Sequence, residues 1–205
     1  MSAVHDFLLF LKEFAKNPMR VGSVAPSGVQ LARRMVHAAD IHPDHVVVEL
    51  GAGTGPVTRE LRAAHPEVPL LVLEPSPQMA ALLRQAHPDI TVVEEFAQDL
   101  PEILRKWGHE RADRVVSSLP WTMWSEEVIR SGLDAVVEGL VPTGRMVTFS
   151  YVHSQTLLPA SRRFRSLLNE RFGRVDRTRI QWRNLPPALV FVCGEPATTS
   201  PRTGR

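Results

Sequence analysis

The residues best suited to chemistry are Glu49, Gly51, Gly53 and Gly55, followed by Glu74. The first four lie in the run Val46-Val-Val-Glu49-Leu-Gly51-Ala52-Gly53-Thr-Gly55-Pro56. Alternating glycines let backbone approach a polar ligand closely, because no Cβ stands in the way. Pro56 suits the first position of a helix, where its missing N–H is not needed. An apolar strand, a glycine turn and a helix N-terminus in succession make a ligand-binding corner. Glu74 ends a second apolar run, Leu70-Leu-Val-Leu73, one strand–helix unit later. In nucleotide-type α/β sites a carboxylate at that place accepts hydrogen bonds from ribose hydroxyls.

The type of nucleotide follows from what the corner lacks. The dinucleotide pattern G-x-G-x-x-G fails, since Pro56 stands where the third glycine belongs. A carboxylate at Glu49 would repel a diphosphate and attract a cation. The pattern Glu-x-Gly-x-Gly-x-Gly resembles that of class I S-adenosylmethionine-dependent methyltransferases. The resemblance implies S-adenosyl-L-methionine as cofactor, with a cationic sulfonium, an amino acid tail and no phosphate. It implies a cofactor pocket made by Glu49, Gly51, Ala52, Gly53, Gly55 and Glu74, with Glu49 near the methionine end. In that superfamily the loop after the third strand holds the adenine. Here that loop is Glu94-Glu-Phe-Ala97-Gln98-Asp99, with Phe96 where an acid is common. Ala97, Gln98 or Asp99 is expected to supply the hydrogen bond.

The elements that position these residues are readable from pattern. The β-branched run Val46–Val48 predicts a strand buried on both faces, as in a parallel sheet. Residues 57–64 predict a helix, and Pro75 stops the second strand at Glu74. Ser76 is a candidate N-cap for a helix from Pro77 to Gln85. Further strands are expected at Ile90–Val93, 112–118, Arg145–Tyr151, Arg174–Trp182 and Ala188–Cys193. Helices are expected at 125–139 and 160–172, and a turn at Pro142-Thr-Gly144. The last two strands, joined by Asn184-Leu-Pro-Pro187, read as an antiparallel hairpin. Upstream, Ser27 is a candidate N-cap for a helix over 28–39. Residues 3–16 carry Val4, Phe7, Leu8, Leu11, Phe14 and Ala15 at helical spacing, predicting an apolar helix that acts as a lid or lies on a membrane. The whole predicts an α/β fold: a Rossmann-like seven-stranded methyltransferase sheet with helices on both faces, plus the N-terminal helix. The expected division is 1–19 for that helix, 20–196 for the catalytic domain and 197–205 for a disordered polar tail.

A second constellation, Ser118-Leu119-Pro120-Trp121, follows the fourth strand at the edge where open α/β sheets place ligands. It resembles the Asn-Leu-Pro-Tyr motif of amino-group methyltransferases, including rRNA adenine dimethylases. The resemblance implies that the carbonyls and polar side chain of this segment hold the acceptor nitrogen, and that Ser118 belongs to the cofactor-binding set with Ala97 and Gln98. Serine in place of asparagine disfavours a planar nucleobase amine. Trp121 offers an indole face for an alkylammonium. Tyr151 and His153 alternate at the end of the fifth strand, which puts both on one face. They are expected to face the acceptor, with His153 the better proton acceptor near neutral pH. Across roughly residues 5–195 the chain is most similar to bacterial phospholipid N-methyltransferases. The similarity rests on the apolar first helix, Arg20-Val-Gly-Ser-Val-Ala-Pro-Ser27, Glu49 to Gly55, Glu74, Ala97 to Leu100 and Ser118-Leu-Pro120.

Composition bounds the alternatives. The lone Cys193 excludes an internal disulfide framework and suits a reducing compartment. No apolar run reaches the ~20 residues of a membrane span, and the N-terminus has no signal-peptide pattern. His42 and His45 sit in a polar turn with no third ligand, so no metal is expected. Net charge is only +2, yet residues 161–183 hold eight arginines against Glu170 and Asp176. Such a patch suits lipid headgroups or nucleic acid, or is simply solvated. The expected function is S-adenosylmethionine-dependent N-methylation of an amine such as a phospholipid headgroup. The expected setting is the cytoplasm, peripheral on the inner face of the membrane. The alternatives are a soluble small-molecule acceptor, an rRNA adenine dimethylase-like activity, or cofactor binding without catalysis. Nucleic acid is disfavoured as a partner, because the Asn-Leu-Pro-Tyr amide and an appended basic helical domain are both missing.

Overall fold

Four short aliphatic segments build the centre of the sheet. Val47–Leu50 (β1), Leu70–Leu73 (β2), Thr91–Val93 (β3) and Ala112–Ser117 (β4) pair in parallel. Leu140–Tyr151 (β5) continues the parallel set beside β4. Ala188–Pro196 (β7) runs antiparallel to β5 and to Phe172–Arg177 (β6). The strand order is β3-β2-β1-β4-β5-β7-β6, so the seven strands and the terminal hairpin are present as expected. The computed structural model describes residues 26–152, 159–182, 184 and 186–197. The helix expected over 3–16, the loop over 20–25, His153 and residues 198–205 lie outside the described residues.

Helices cover both faces because the strands alternate in what they bury. Val48, Leu50, Leu71, Leu73 and Val115 face one layer, made by Leu100–Lys106 (α4), Glu126–Gly139 (α5) and Pro159–Arg171 (α6). Val47, Leu70, Val72, Val116 and Val147 face the other, made by Pro26–Ala39 (α1), Pro56–Ala64 (α2) and Pro77–Ala86 (α3). A two-residue period with both sets apolar is the mark of a strand covered on each side. Two arginines tie α1 down. Arg114 Nε donates to the Ala39 carbonyl at 2.8 Å, and Arg145 Nη1 to the Ala38 carbonyl at 3.2 Å.

Several boundaries differ from the sequence expectation. α1 starts at Pro26, so Ser27 falls inside the helix rather than capping it. Ser76 does sit at the N-cap of α3, but its side chain makes no cap bond. β5 begins at Leu140, and the Pro142-Thr-Gly144 segment expected as a turn is carried within the strand, where the β4 register shifts between Ala112 and Arg114. β6 ends at Arg177 rather than Trp182; beyond it Gln181 makes an isolated bridge to Ala188. Short helical segments at Ala97–Asp99, Leu100–Lys106 and Trp121–Met123 were not expected from pattern, being too brief to show a period.

Candidate active site

The chain leaves β1 in one direction to lay down β2 and β3, then returns to the other side for β4 and β5. The reversal opens a crevice at the carboxyl ends of β1 and β4, the place where open α/β sheets bind ligands. A cavity of about 280 Å³ occupies it. Gly51, Ala52, Gly53, Glu74, Ala97, Gln98, Ser118, Trp121 and Tyr151 all contribute to its lining. The structure therefore brings most of the sequence-derived site residues together.

The glycine loop is held from three directions. Gly51 N–H donates to the Leu73 carbonyl at 2.9 Å, and Gly55 N–H to the Ala52 carbonyl at 2.9 Å. Gly53 N–H donates to Glu74 Oε2 at 2.8 Å, while Ser76 N–H donates to Glu74 Oε1 at 3.0 Å. Glu74 thus clamps the first βα turn to the second. Gly51 has φ +73°, and a Cβ there would lie 2.5 Å from Leu119 Cδ2. Gly53 has φ +55°, with open space where its Cβ would be. The loop is therefore packed at Gly51 and bare toward the cavity at Gly53.

The two carboxylates have different surroundings. Glu74 is 6 % exposed; burial raises its pKa, and the Gly53 and Ser76 N–H groups pull it back down. Glu49 is fully buried and does not line the cavity. Its Oε2 accepts from Thr58 Oγ1 at 2.7 Å, and its Oε1 has no hydrogen-bond partner. Burial pushes its pKa up to about 8, against the Thr58 hydrogen bond. Glu49 is thus a neutral carboxyl at pH 7, pinning α2 beneath the loop. The alternation of β1 explains this, since odd-numbered positions point toward α2.

The Ser118-Leu-Pro-Trp segment closes the other wall. Ser118 N–H donates to the Leu50 carbonyl at 2.8 Å. Ser117 Oγ accepts from Trp121 Nε1 at 3.0 Å, which folds the turn back on its strand. Trp121 is 2 % exposed, stacked on Phe164 at 5.9 Å and set edge-on to Trp124 at 5.4 Å. The indole expected as an open face for a cation is placed mainly in the core, and forms part of the cavity floor. Tyr151 stands at the end of β5 with its ring edge-on to Phe149 at 5.3 Å. Burial raises its pKa, so the hydroxyl keeps its proton at neutral pH. Sequence reasoning missed Leu31, Met35 and Phe149, which with Leu119 give the cavity its apolar wall. The Leu31–Met35 spacing shows an apolar helical stripe but not what it faces. Phe149 was findable, lying two residues before Tyr151 on one strand face. No cluster of metal-binding side chains occurs among the described residues.

Residues 47–144 match the family described as a methyltransferase domain. Over 192 residues the chain is 38 % identical to an ornithine lipid N-methyltransferase from Singulisphaera acidiphila, a span of 92 % of this chain and 95 % of that relative. The chain belongs to this methyltransferase family. The methyltransferase also matches a ribosomal RNA small subunit methyltransferase A from Chlorobium phaeobacteroides, at 30 % identity over 95 residues. That match spans 46 % of this chain and only 34 % of the relative. Among solved structures, TrmN from Thermus thermophilus aligns with TM-score 0.65 at 20 % identity, over 82 % of the methyltransferase and 48 % of TrmN. The N-methyltransferase NodS from Bradyrhizobium japonicum WM9 aligns with TM-score 0.64 at 14 % identity, over 86 % of this chain and all of NodS. Both show the Rossmann-like fold shared with other methyltransferases.

Proposed function

We propose that this protein is an S-adenosylmethionine-dependent N-methyltransferase acting on the amine of a lipid headgroup. The observation that carries the reading is the nearly full-length match to a lipid N-methyltransferase, against matches to about a third of the rRNA enzymes. The site supports it. Glu74, with lone pairs left beyond its two backbone partners, fits ribose hydroxyls. The bare backbone at Gly53 allows close approach, and Phe96, Ala97 and Gln98 line the wall where an adenine would lie. The apolar wall of Leu31, Met35, Leu119 and Phe149 suits an acceptor with an aliphatic part better than a bare polar metabolite.

S-adenosylmethionine, when bound, supplies a methyl group already activated for displacement. The protein's task is then to hold the acceptor in line and desolvated, not to provide strong acid–base power. The acceptor nitrogen must be neutral to attack, and its proton leaves to water. Tyr151, protonated and at the rim of the cavity, orients the nitrogen through its hydroxyl. Ser118, just past the end of the neighbouring strand β4, supplies a hydroxyl and a carbonyl to the same space. Ser117 and Trp121 act as positioning residues, fixing the turn that carries Ser118 to Pro120. His153 and the helix over 3–16, as lid or membrane contact, belong to the same proposal. So does a peripheral site on the inner face of the membrane; among the described residues no helix is long and apolar enough to cross one.

The test is to supply methyl-labelled S-adenosylmethionine to the purified protein with an amine-bearing lipid in neutral detergent micelles, alongside a water-soluble amine. Label is expected in the organic phase. Label confined to the aqueous fraction would overturn the lipid reading and leave the methyltransferase fold standing.

A further inference from the structure

The arginine-rich stretch sorts by height along the sheet. α6 begins at the carboxyl edge, runs down, and hands over to β6, which rises again toward that edge. At the lower end, Arg171 pairs with Asp134 and Arg174 with Asp176. Glu170 and Glu126 are taken by Arg130. At the upper end, Arg162, Arg163 and Arg165 on α6 and Arg177 and Arg179 beside the hairpin are exposed and carry no ion pair among the described residues. These five thus lie toward the edge where the cavity opens, while Arg105 and Arg111, also exposed and without an ion pair among the described residues, stand at the opposite end of the sheet.

Two exposed apolar side chains occupy the same edge. Trp182 is 69 % exposed and Met123 is 62 % exposed. Trp182 follows Gln181, whose N–H donates to the Ala188 carbonyl, and Ala188 lies in register with Tyr151 at the cavity. Met123 is itself part of the lining. Phe164, stacked on Trp121, brings the arginine-bearing turns of α6 beside the segment that carries Met123. An exposed indole and thioether set among unpaired guanidinium groups fit neither a dry protein core nor open water. They fit the boundary of an anionic bilayer, where indoles sit at headgroup level and guanidinium groups meet phosphate oxygens.

We infer that the carboxyl edge of the β5–β7–β6 half is a docking face for an anionic lipid bilayer. Trp182 and Met123 enter the interface, while Arg162, Arg163, Arg165, Arg177 and Arg179 contact headgroup phosphates. The inference rests on the lipid-headgroup reading, and it adds how the cavity meets its substrate: mouth toward the membrane, with the headgroup entering sideways past Tyr151.

The experiment uses the full chain and vesicles of phosphatidylcholine with or without phosphatidylglycerol, lipids without an amine that can be methylated, so binding is read apart from turnover. Binding is expected only with the anionic lipid, and it should weaken as salt rises. Each arginine near the surface contributes about fivefold to partitioning, so the double variant Arg177→Gln/Arg179→Gln should lose about 30-fold. Arg174→Gln, at the lower end, should change partitioning by less than about twofold. The other three tryptophans are buried or part-buried, so a blue shift of emission on vesicle addition should vanish in Trp182→Phe. Unchanged partitioning of the double variant, no emission shift, or a loss of affinity for RNA in place of vesicles would overturn the docking face. Lipid methylation in neutral micelles needs no docked bilayer. Its absence in the wild type would sink the proposed function, whereas its persistence in the double variant beside lost vesicle binding supports the docking face.

Discussion

Glu74→Gln is the most informative single change. The two carboxylate oxygens each accept one backbone N–H, from Gly53 at 2.8 Å and from Ser76 at 3.0 Å. A glutamine has one acceptor oxygen, so its NH₂ must face one of those donors. One charge-assisted hydrogen bond is lost, and a part-buried N–H is left opposed. That loss should destabilise the fold by about 1.5–3 kcal/mol. The ligand loses a charged acceptor at its ribose as well, weakening S-adenosylmethionine binding by ~1–3 kcal/mol, or roughly 5- to 150-fold. Urea unfolding reads the first quantity and calorimetric titration of cofactor the second. Glu67→Gln, on an exposed carboxylate outside the cavity, serves as the control. Unchanged cofactor affinity in Glu74→Gln, with the stability loss present, would show that the clamp is structural only and refute the ribose assignment.

Other changes test the supporting parts. Glu49 has its folded pKa raised to about 8 from an unfolded value near 4.5, so the native state binds the extra proton between those limits. Stability should therefore fall as pH rises from about 5 to 8, by up to ~1.4 kcal/mol per unit. Glu49→Gln should flatten that slope in pH-dependent urea melts, and an equally steep slope would count against the neutral carboxyl. Gly51→Ala forces a Cβ to 2.5 Å from Leu119 at φ +73°, whereas Gly53→Ala meets open space at φ +55°. The first should lower the melting temperature well beyond the second, whose left-handed backbone alone costs about 1–2 kcal/mol. The second should lose cofactor affinity out of proportion to its stability, and equal effects on both quantities would contradict the bare face. Trp121→Ala should destabilise by ~3–5 kcal/mol, as for a buried aromatic. A small stability change with a large rise in KM would return the indole to the acceptor's surface.

The glycine–carboxylate corner was legible because its physics is local. Alternating glycines after a β-branched run, a proline at the next helix start and an acid at the end of the next strand each constrain backbone within a few residues. The strand count was legible for the same reason. The hidden features depend on partners remote in sequence. Trp121 reads as a free aromatic until Phe164 arrives to stack on it. Proline and glycine at 142 and 144 signal a turn, but pairing with β4 absorbs them as an irregularity in β5. The stripe of α1 looks like ordinary core, and only the arginine bonds from β4 and β5 set where it lies.

The pair Glu49 and Glu74 shows why residue type alone does not assign a charge. Both are glutamates at the carboxyl ends of adjacent parallel strands, and burial raises the pKa of each. What separates them first is burial, which is complete at Glu49 and leaves Glu74 6 % exposed, and then the kind of donor. Glu74 has two backbone N–H groups that cannot accept, and these stabilise the ionised form. Glu49 has one hydroxyl, a donor to Oε2, and nothing on Oε1. The carboxylate next to the glycines in sequence is thus turned away from the cavity, and the carboxylate a strand away lines it. Removing the Thr58 hydroxyl by Thr58→Val should push the Glu49 pKa further up and leave cofactor affinity unchanged. A fall in affinity there, without a change in the loop, would return Glu49 to the binding site.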